Sequence, residues 1–260
     1  DQLDQAISEL RQANLKLQAD IEYERSLDEM RKTFISSVSH ELKTPLALIQ
    51  GYAEGLKLNV ADDEAGKDYY CEVIVDEARK MNLIVRDLLD LSQYESGSFR
   101  IDRQLFDISD LLDQLVSKYQ PLLQEKQVSL QINKEDSDSA LTVDGDRLRI
   151  EQVLVNYINN AINYMDDNRQ MRISLIRRAD KVRVSVYNSD TAIPEDSLDK
   201  IFTSFYKVDK ARSRANGGSG LGLSIVKAIQ EQHHNAYGVL NREQGVEFWF
   251  EIDRADCENS

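Results

Sequence analysis

The sequence predicts an α+β protein in which a long helical N-terminal portion precedes a domain mixing strands and helices. Three observations carry this. Residues 1–33 hold neither proline nor glycine, and Leu3, Ile7, Leu10, Asn14, Leu17 and Ile21 alternate steps of four and three. Residues 66–95 repeat an apolar stripe at helical spacing through Ile74, Met81, Ile84, Leu88 and Leu91. From about residue 99 short β-rich runs alternate with helical patterns, without a strict β-α-β order.

Taken in order, residues 1–33 read as a coiled-coil helix whose one polar seam position, Asn14, suits the register of a parallel dimer. After Ile21 the seam slips, and Leu27, Met30, Phe34 and Val38 resume it at a new phase, a stutter-like break. The alternative is an ordinary amphipathic helix lying on its own domain, but the remainder is too polar to bury that way. The helix is predicted to run on to about Val60. Ala61-Asp62-Asp63-Glu64-Ala65-Gly66 then reads as a turn with helix-starting acids. A second helix follows over 66–95, ended by Ser96-Gly97-Ser98. Two antiparallel helices have little core, and two copies would make a four-helix bundle. Beyond it, helices are predicted at 108–125, 146–166, 194–203 and 220–232, and strands at 128–133, 170–177, 181–187, 236–241 and 245–252. The expectation is an α/β sandwich with helices on one face of a mixed sheet. The predicted division is 1–33, 34–98 and 99–260.

Bulk properties narrow the function. The 260 residues are 41% hydrophobic and 30% charged, as in soluble globular material, and the net charge of −14 argues against nucleic acid as a partner. Cys71 and Cys257 have neither metal-ligand spacing nor a disulfide framework, which fits a reducing cytosol. No apolar run reaches membrane-spanning length. The start at Asp1 without methionine reads as a piece of a longer chain.

The most informative segment is Phe34-Ile35-Ser36-Ser37-Val38-Ser39-His40-Glu41-Leu42-Lys43-Thr44-Pro45-Leu46. It puts one of three histidines on a helix beside a carboxylate, with Thr44 one turn along the same face. Pro45 leaves the Glu41 carbonyl without its helical donor, which predicts a kink that exposes the imidazole. A free imidazole, with a pKa of about 6.5, is a good nucleophile near neutral pH. A carboxylate holding one ring nitrogen protonated makes the other a better attacker.

Two later segments suit a nucleotide. Asn156, Asn159, Asn160 and Asn163 fall on one side of the helix at 146–166, a local cost in helix propensity that invites a functional reason. Amide oxygens can hold Mg²⁺ together with phosphates. Gly217-Gly218-Ser219-Gly220-Leu221-Gly222-Leu223 precedes a helix, so backbone N–H groups and a positive helix end could meet phosphates. The spacing is neither a P-loop nor a strand-led dinucleotide fingerprint. Lys207, Lys210, Arg212 and Arg214 form a basic stretch in an acidic chain, suited to a lid that meets phosphate oxygens.

These motifs, in this order, resemble the H-box, N-box, F-box (Phe202-Thr203-Ser204-Phe205-Tyr206-Lys207) and G2-box of sensor histidine kinases of bacterial two-component systems. The resemblance covers nearly the whole chain. It implies a dimerisation and phosphotransfer bundle joined to a Bergerat-type ATP-binding domain. It also implies that His40 accepts the γ-phosphoryl group of ATP, that Glu41 assists as base, and that Thr44 orients water when the partner is dephosphorylated. Asn160 would hold Mg²⁺ and Asn156 would lie near the γ-phosphate. Tyr164, Asn188, Ile193, Lys207, Arg212, Gly218, Ser219, Gly220, Leu221, Gly222 and Leu223 complete the implied ATP site. The implied partners are a second copy of the chain and a response regulator, with a membrane reached only through a preceding region of the parent protein. The chain itself would be cytoplasmic.

The chain departs from the family at the G1-box, where Asp-x-Gly-x-Gly before Ile-Pro is replaced by Asn188-Ser189-Asp190-Thr191-Ala192-Ile193-Pro194. Asn188 keeps a carbonyl acceptor for the adenine amino group but loses the charge. Asn163 stands where the family often has lysine. A second reading therefore stays open: a kinase-weak or non-catalytic dimeric scaffold acting as a phosphatase. An ATP-driven chaperone on the same nucleotide fold would use a glutamate at position 156 and leaves His40 unexplained.

Overall fold

The computed structural model describes residues 2–61, 63–95, 100–135, 141–208 and 218–255. The predicted stops and cations at Ser96-Gly97-Ser98, Lys210, Arg212, Arg214 and Gly217 lie outside them, as does Cys257. The chain divides into two compact units, Asp1–Met81 and Asn82–Ser260.

The first unit holds α1, Gln2–Lys57, and the opening turns of α2, Glu64–Glu95. At 56 residues, α1 is roughly 84 Å long. It continues as helix through Pro45. Leu10, Leu15, Leu17, Ile21, Leu27 and Met30 are all exposed along it. That row of apolar side chains on a polar helix is a surface without an intramolecular cover. Near the hairpin, Tyr52 meets the edges of Tyr69 and Tyr70 with ring centroids 6.2 and 4.9 Å away. Gly55 is needed there, because a Cβ would lie 2.6 Å from the Tyr70 ring. The Asp63 carboxylate accepts from the Gly66 N–H at 3.0 Å and stabilises the start of α2.

The second unit takes the last turns of α2 and all that follows. Its sheet has the order β1-β3-β7-β5-β4-β2, with β6 on β7. The strands are β1 Gln104–Asp107, β2 Ser129–Lys134, β3 Thr142–Gly145, β4 Gln170–Arg177, β5 Lys181–Ser189, β6 Tyr237–Arg242 and β7 Gly245–Arg254. Among the described strands only β2 and β4 pair in parallel. β7 is fully paired with β5 along one edge, while its other edge serves β6 from Gly245 to Phe250 and β3 at Asp253 and Arg254. Alternation sets the faces: Met171, Ile173 and Leu175 of β4, Val182, Val184 and Val186 of β5, and Val246, Phe248, Phe250 and Ile252 of β7 are buried. Charged Arg172, Arg183 and Glu251 fall on the opposite register, where Arg183 stacks 4.0 Å from the Trp249 ring centre.

Three helices of the second unit supply the facing core. They are α3 Ile108–Glu125, α4 Arg147–Tyr164 and α6 Gly222–His233; the short α5 is Glu195–Leu198. Leu111, Leu112, Leu115, Ile150, Leu154, Ile158, Ile225 and Ile229 are almost completely buried. Each such side chain contributes about 1.5–3 kcal/mol relative to exposure. Asp107 caps α3 by accepting from Ser109 N at 2.7 Å, and Asp146 caps α4 by accepting from Arg149 N at 3.2 Å. The helix predicted over 194–203 is shorter than expected. After Leu198 the chain turns, and Phe205 adopts φ 63°. The strands β1 and β3 were not foreseen.

His233 ties these layers together. Its Nε2 accepts from the Asp146 N–H at 3.1 Å, so Nδ1 carries the proton and donates to the Ile229 carbonyl at 2.8 Å. Burial, the largest cause, lowers its pKa below the ordinary 6.5. A depressed pKa means the unfolded chain takes up the proton first. Stability from neutral His233 is therefore present above about pH 6.5 and is lost as the pH falls through the folded value. Denaturant midpoints measured at neutral and mildly acidic pH are expected to differ more in the parent than in His233→Gln.

Candidate active site

Two places carry chemistry, one in each unit. In the first, His40 is exposed on α1 and lies with Lys43, Thr44, Ala47 and Leu48 along one groove. Thr44 Oγ1 donates back to the His40 carbonyl at 3.3 Å. Threonine makes this i−4 bond readily, and it sits beside the carbonyl of Glu41 that Pro45 deprives of its donor. Glu41 is half-buried on the same helix. The imidazole is thus open to solvent on a rigid element, which is what a nucleophile needs to meet a second reactant.

In the second unit a cleft of about 350 Å³ opens between α4, the segment after β5, the 201–208 turn, the start of α6 and the floor of β7. The structure brings Asn160, Tyr164, Asn188, Ile193, Lys207 and Leu223 to its wall. Sequence reasoning missed part of it: Val246 and Phe248 form its floor, and Ile201, Tyr206 and Val208 line it. Alternation along β7 is a signal that could mark Val246 and Phe248 as inward-facing, but only the sheet order brings them here. Tyr206 was visible in the F-box, and its hydroxyl donates to Ser197 Oγ at 2.9 Å.

The four asparagines separate. Asn160 faces the cleft, whereas the Asn159 amide oxygen accepts from Tyr119 OH at 2.9 Å. Asn156 lies against the glycine loop, where a Cβ on Gly222 would come within 3.1 Å of its Oδ1. Among the described residues the buried Asn156 Nδ2 has no hydrogen-bond partner. A buried orphan donor costs about 1–3 kcal/mol and is resolved by an acceptor such as a phosphate oxygen.

The glycine loop is held by its neighbours. Gly220 has φ +75°, its carbonyl accepts from Phe205 N at 2.8 Å, and a Cβ there would lie 3.0 Å from Phe205 Cα and 3.2 Å from Lys207 Cε. Only glycine suits that position. Gly218 lies near Tyr164, whose hydroxyl would be 3.6 Å from an added Cβ. Leu221 is fully buried and anchors the loop in the core. Ser219 Oγ accepts from Leu221 N at 3.3 Å. Arg212 lies outside the described residues.

The altered G1 segment is tied to β6 at Ile193. Asn241 of β6 clamps Ile193, accepting from its N–H at 2.9 Å and donating to its carbonyl at 2.8 Å. Asn188 is 1% exposed, and its Nδ2 donates weakly to the Ser189 carbonyl at 3.4 Å. That bond orients the amide and leaves its oxygen as the group able to accept from a base.

Residues 30–97 match the family described as His Kinase A (phospho-acceptor) domain. Residues 145–256 match the family described as Histidine kinase-, DNA gyrase B-, and HSP90-like ATPase. The catalytic domain of histidine kinase ThkA is 34% identical, with 98% of that chain and 59% of this one covered at a TM-score of 0.52. The chain belongs to the sensor histidine kinases. A curated relative in this family, Sensor protein SrrB of Staphylococcus aureus, is 31% identical over 220 residues. That match covers 85% of this chain, and the chain spans 37% of the length of SrrB. ThkA in complex with response regulator protein TrrA is 30% identical, with a TM-score of 0.70 over 86% of this chain and 61% of that one. Histidine kinase AdeS of Acinetobacter baumannii, 24% identical, shares the fold at a TM-score of 0.68 over 84% of this chain and 98% of that one. As in these kinases, a helical N-terminal region precedes an α/β sheet domain.

Proposed function

We propose that this histidine kinase phosphorylates itself on His40 with ATP and passes the phosphoryl group to an aspartate of a response regulator. The observation that carries the reading is one chain holding an exposed His40 on a helix that runs on through Pro45, and a cleft in which Asn160, the orphaned Asn156 and a glycine loop converge. His40 Nε2 would attack the γ-phosphorus in line, with Glu41 orienting or deprotonating the ring. Asn188 would accept from the adenine amino group. Tyr164, Ile193 and Leu223 would wall the base and ribose, and Lys207, Gly218, Ser219, Gly220, Leu221, Gly222 and Arg212 would meet the phosphates. The amide oxygen of Asn160 fits Mg²⁺, which supplies charge neutralisation to the phosphates when bound.

The chain would act as a homodimer. The exposed apolar row on α1 supports a coil over 1–33, and exposed Ile35, Leu46, Val75 and Leu83 support a four-helix bundle over 34–98, with 99–260 binding ATP. ThkA's complex with a response regulator supports the partner class. Among the described residues no helix is long and apolar enough to cross a membrane. A cytoplasmic position within a longer membrane sensor belongs to the same reading; that the chain spans 37% of the length of Sensor protein SrrB supports the longer sensor.

One specific feature favours a second reading. Asn188 is neutral and Asp190 puts a carboxylate into the cleft wall where the family has glycine. A weak kinase that acts chiefly as a phosphatase, with Thr44 orienting water, follows from it. Incubation with γ-labelled ATP and Mg²⁺ separates the two. A kinase yields protein-bound label that is acid-labile and base-stable, as a phosphorus–nitrogen bond requires, and that a receiver domain removes. The phosphatase reading predicts little or no label but faster loss of phosphate from a phosphorylated receiver.

A further inference from the structure

The last turns of α2 belong to the nucleotide-binding unit. Ile84, Leu91 and Tyr94 are buried there. Gln152 of α4 donates to Asp90 at 2.8 Å and accepts from Tyr94 OH at 3.2 Å, and Gln232 of α6 donates to the Tyr94 carbonyl at 3.1 Å. One contact in this seam reaches the glycine loop: Ser219 Oγ donates to Asp87 Oδ2 at 3.0 Å. The same hydroxyl accepts from Leu221 N, so its single proton is committed to Asp87. The loop is therefore fixed at two adjacent points, Ser219 by Asp87 and the Gly220 carbonyl by Phe205 N.

We propose that Asp87 is a positioning residue which sets the glycine loop through Ser219 and takes up a proton when a nucleoside triphosphate binds. It rests on the nucleotide role given to the cleft above. The charge around Asp87 supports it. On its own helix Arg86 favours the carboxylate and Asp90 opposes it, and the loop brings the Ser219 hydroxyl; Arg149 of α4 is turned to Gln152 and the Tyr94 ring and has no resolved effect on Asp87. Burial outweighs the favourable contacts and pushes Asp87 up to about 6 from 3.8. The group is thus poised to change charge near neutral pH. Phosphate oxygens arriving at a loop held 3.0 Å from this carboxylate add negative charge beside it and raise its proton affinity further. By linkage, a proton bound more tightly in the complex means nucleotide bound more tightly as the pH falls. Asp87 has no place in the attack on phosphorus and touches the reaction only through Ser219.

The test is calorimetric binding of ATP with Mg²⁺ to the whole chain and to Asp87→Asn, which keeps the acceptor for Ser219 and cannot titrate. The phosphate's own titration is common to both proteins and cancels in the ratio of their affinities. That ratio is expected to rise about sevenfold in favour of the parent between about pH 8 and pH 5.5, the change that a further pKa rise of roughly one unit produces. Titration of the parent near pH 6.5 in two buffers of different ionisation enthalpy is expected to report more proton uptake than the variant does. Equal profiles, or a ratio that moves the other way, overturn the role of Asp87 and leave the nucleotide cleft intact. No binding by either folded protein at any pH overturns the cleft assignment itself, and this inference with it.

Discussion

His40→Ala is expected to remove all protein-bound phosphate formed from γ-labelled ATP while leaving nucleotide affinity unchanged within about twofold. The loss should exceed about 10³-fold, because no alternative nucleophile stands in for a missing one in the chemical step. Structural side effects are small at this position. His40 is exposed on α1, alanine is the better helix former, and the Thr44 bond uses the His40 backbone carbonyl, which the substitution keeps. The residues that line the cleft belong to the second unit. Labelling, calorimetry and a thermal melt on the same preparation decide the matter. Acid-labile label that survives in the variant would remove His40 from the mechanism.

Gly245→Ala is expected to be the most damaging glycine-to-alanine change among the described residues. Gly245 opens β7 opposite Ser189, and a Cβ there would collide with the Asn188 carbonyl oxygen and lie 2.6 Å from the Tyr187 ring. The first obstacle is backbone within the β5–β7 ladder and cannot swing away. Relief requires opening the end of that ladder, at a cost of about 3 kcal/mol. For a domain of this size that lowers Tm by roughly 10 °C. The displaced carbonyl belongs to Asn188, so nucleotide affinity should fall as well, even below the melting temperature. A melt within about 2 °C of the parent would mean the strands separate more easily than their pairing suggests.

What could be read from the chain follows from the range over which each feature is encoded. Both long helices, α3, α4, α6 and the longer strands carry their period locally, and the H-, N- and G2-box residues are contiguous runs. The four-residue strands β1 and β3 carry no such period. Leu105 is largely exposed, and these segments extend because they pair with each other and with the far end of β7. The helix predicted over 194–203 has adequate propensity, but Phe205 gives its N–H to the Gly220 carbonyl, a contact 15 residues away that no local pattern announces. Helical spacing put Asn159 beside Asn160, and only the neighbouring Tyr119 shows why it points elsewhere. Asp87 was one polar residue among many on α2. Its partner Ser219 lies 132 positions on, and the pairing becomes visible only when α4, α6 and the loop are assembled around the helix end.

The position of β7 in the sheet bears on how the domain is made. Every strand that β7 joins is synthesised before it. Until Gly245–Arg254 has left the ribosome, β1 and β3 form one fragment and β2, β4 and β5 another, with no ladder between them. Both fragments then present open edges and apolar faces to the cell. Co-translational folding of this unit must therefore wait for its last strand. The nascent chain is most exposed to chaperones, and to mispairing with a neighbouring copy, in the interval just before that strand arrives.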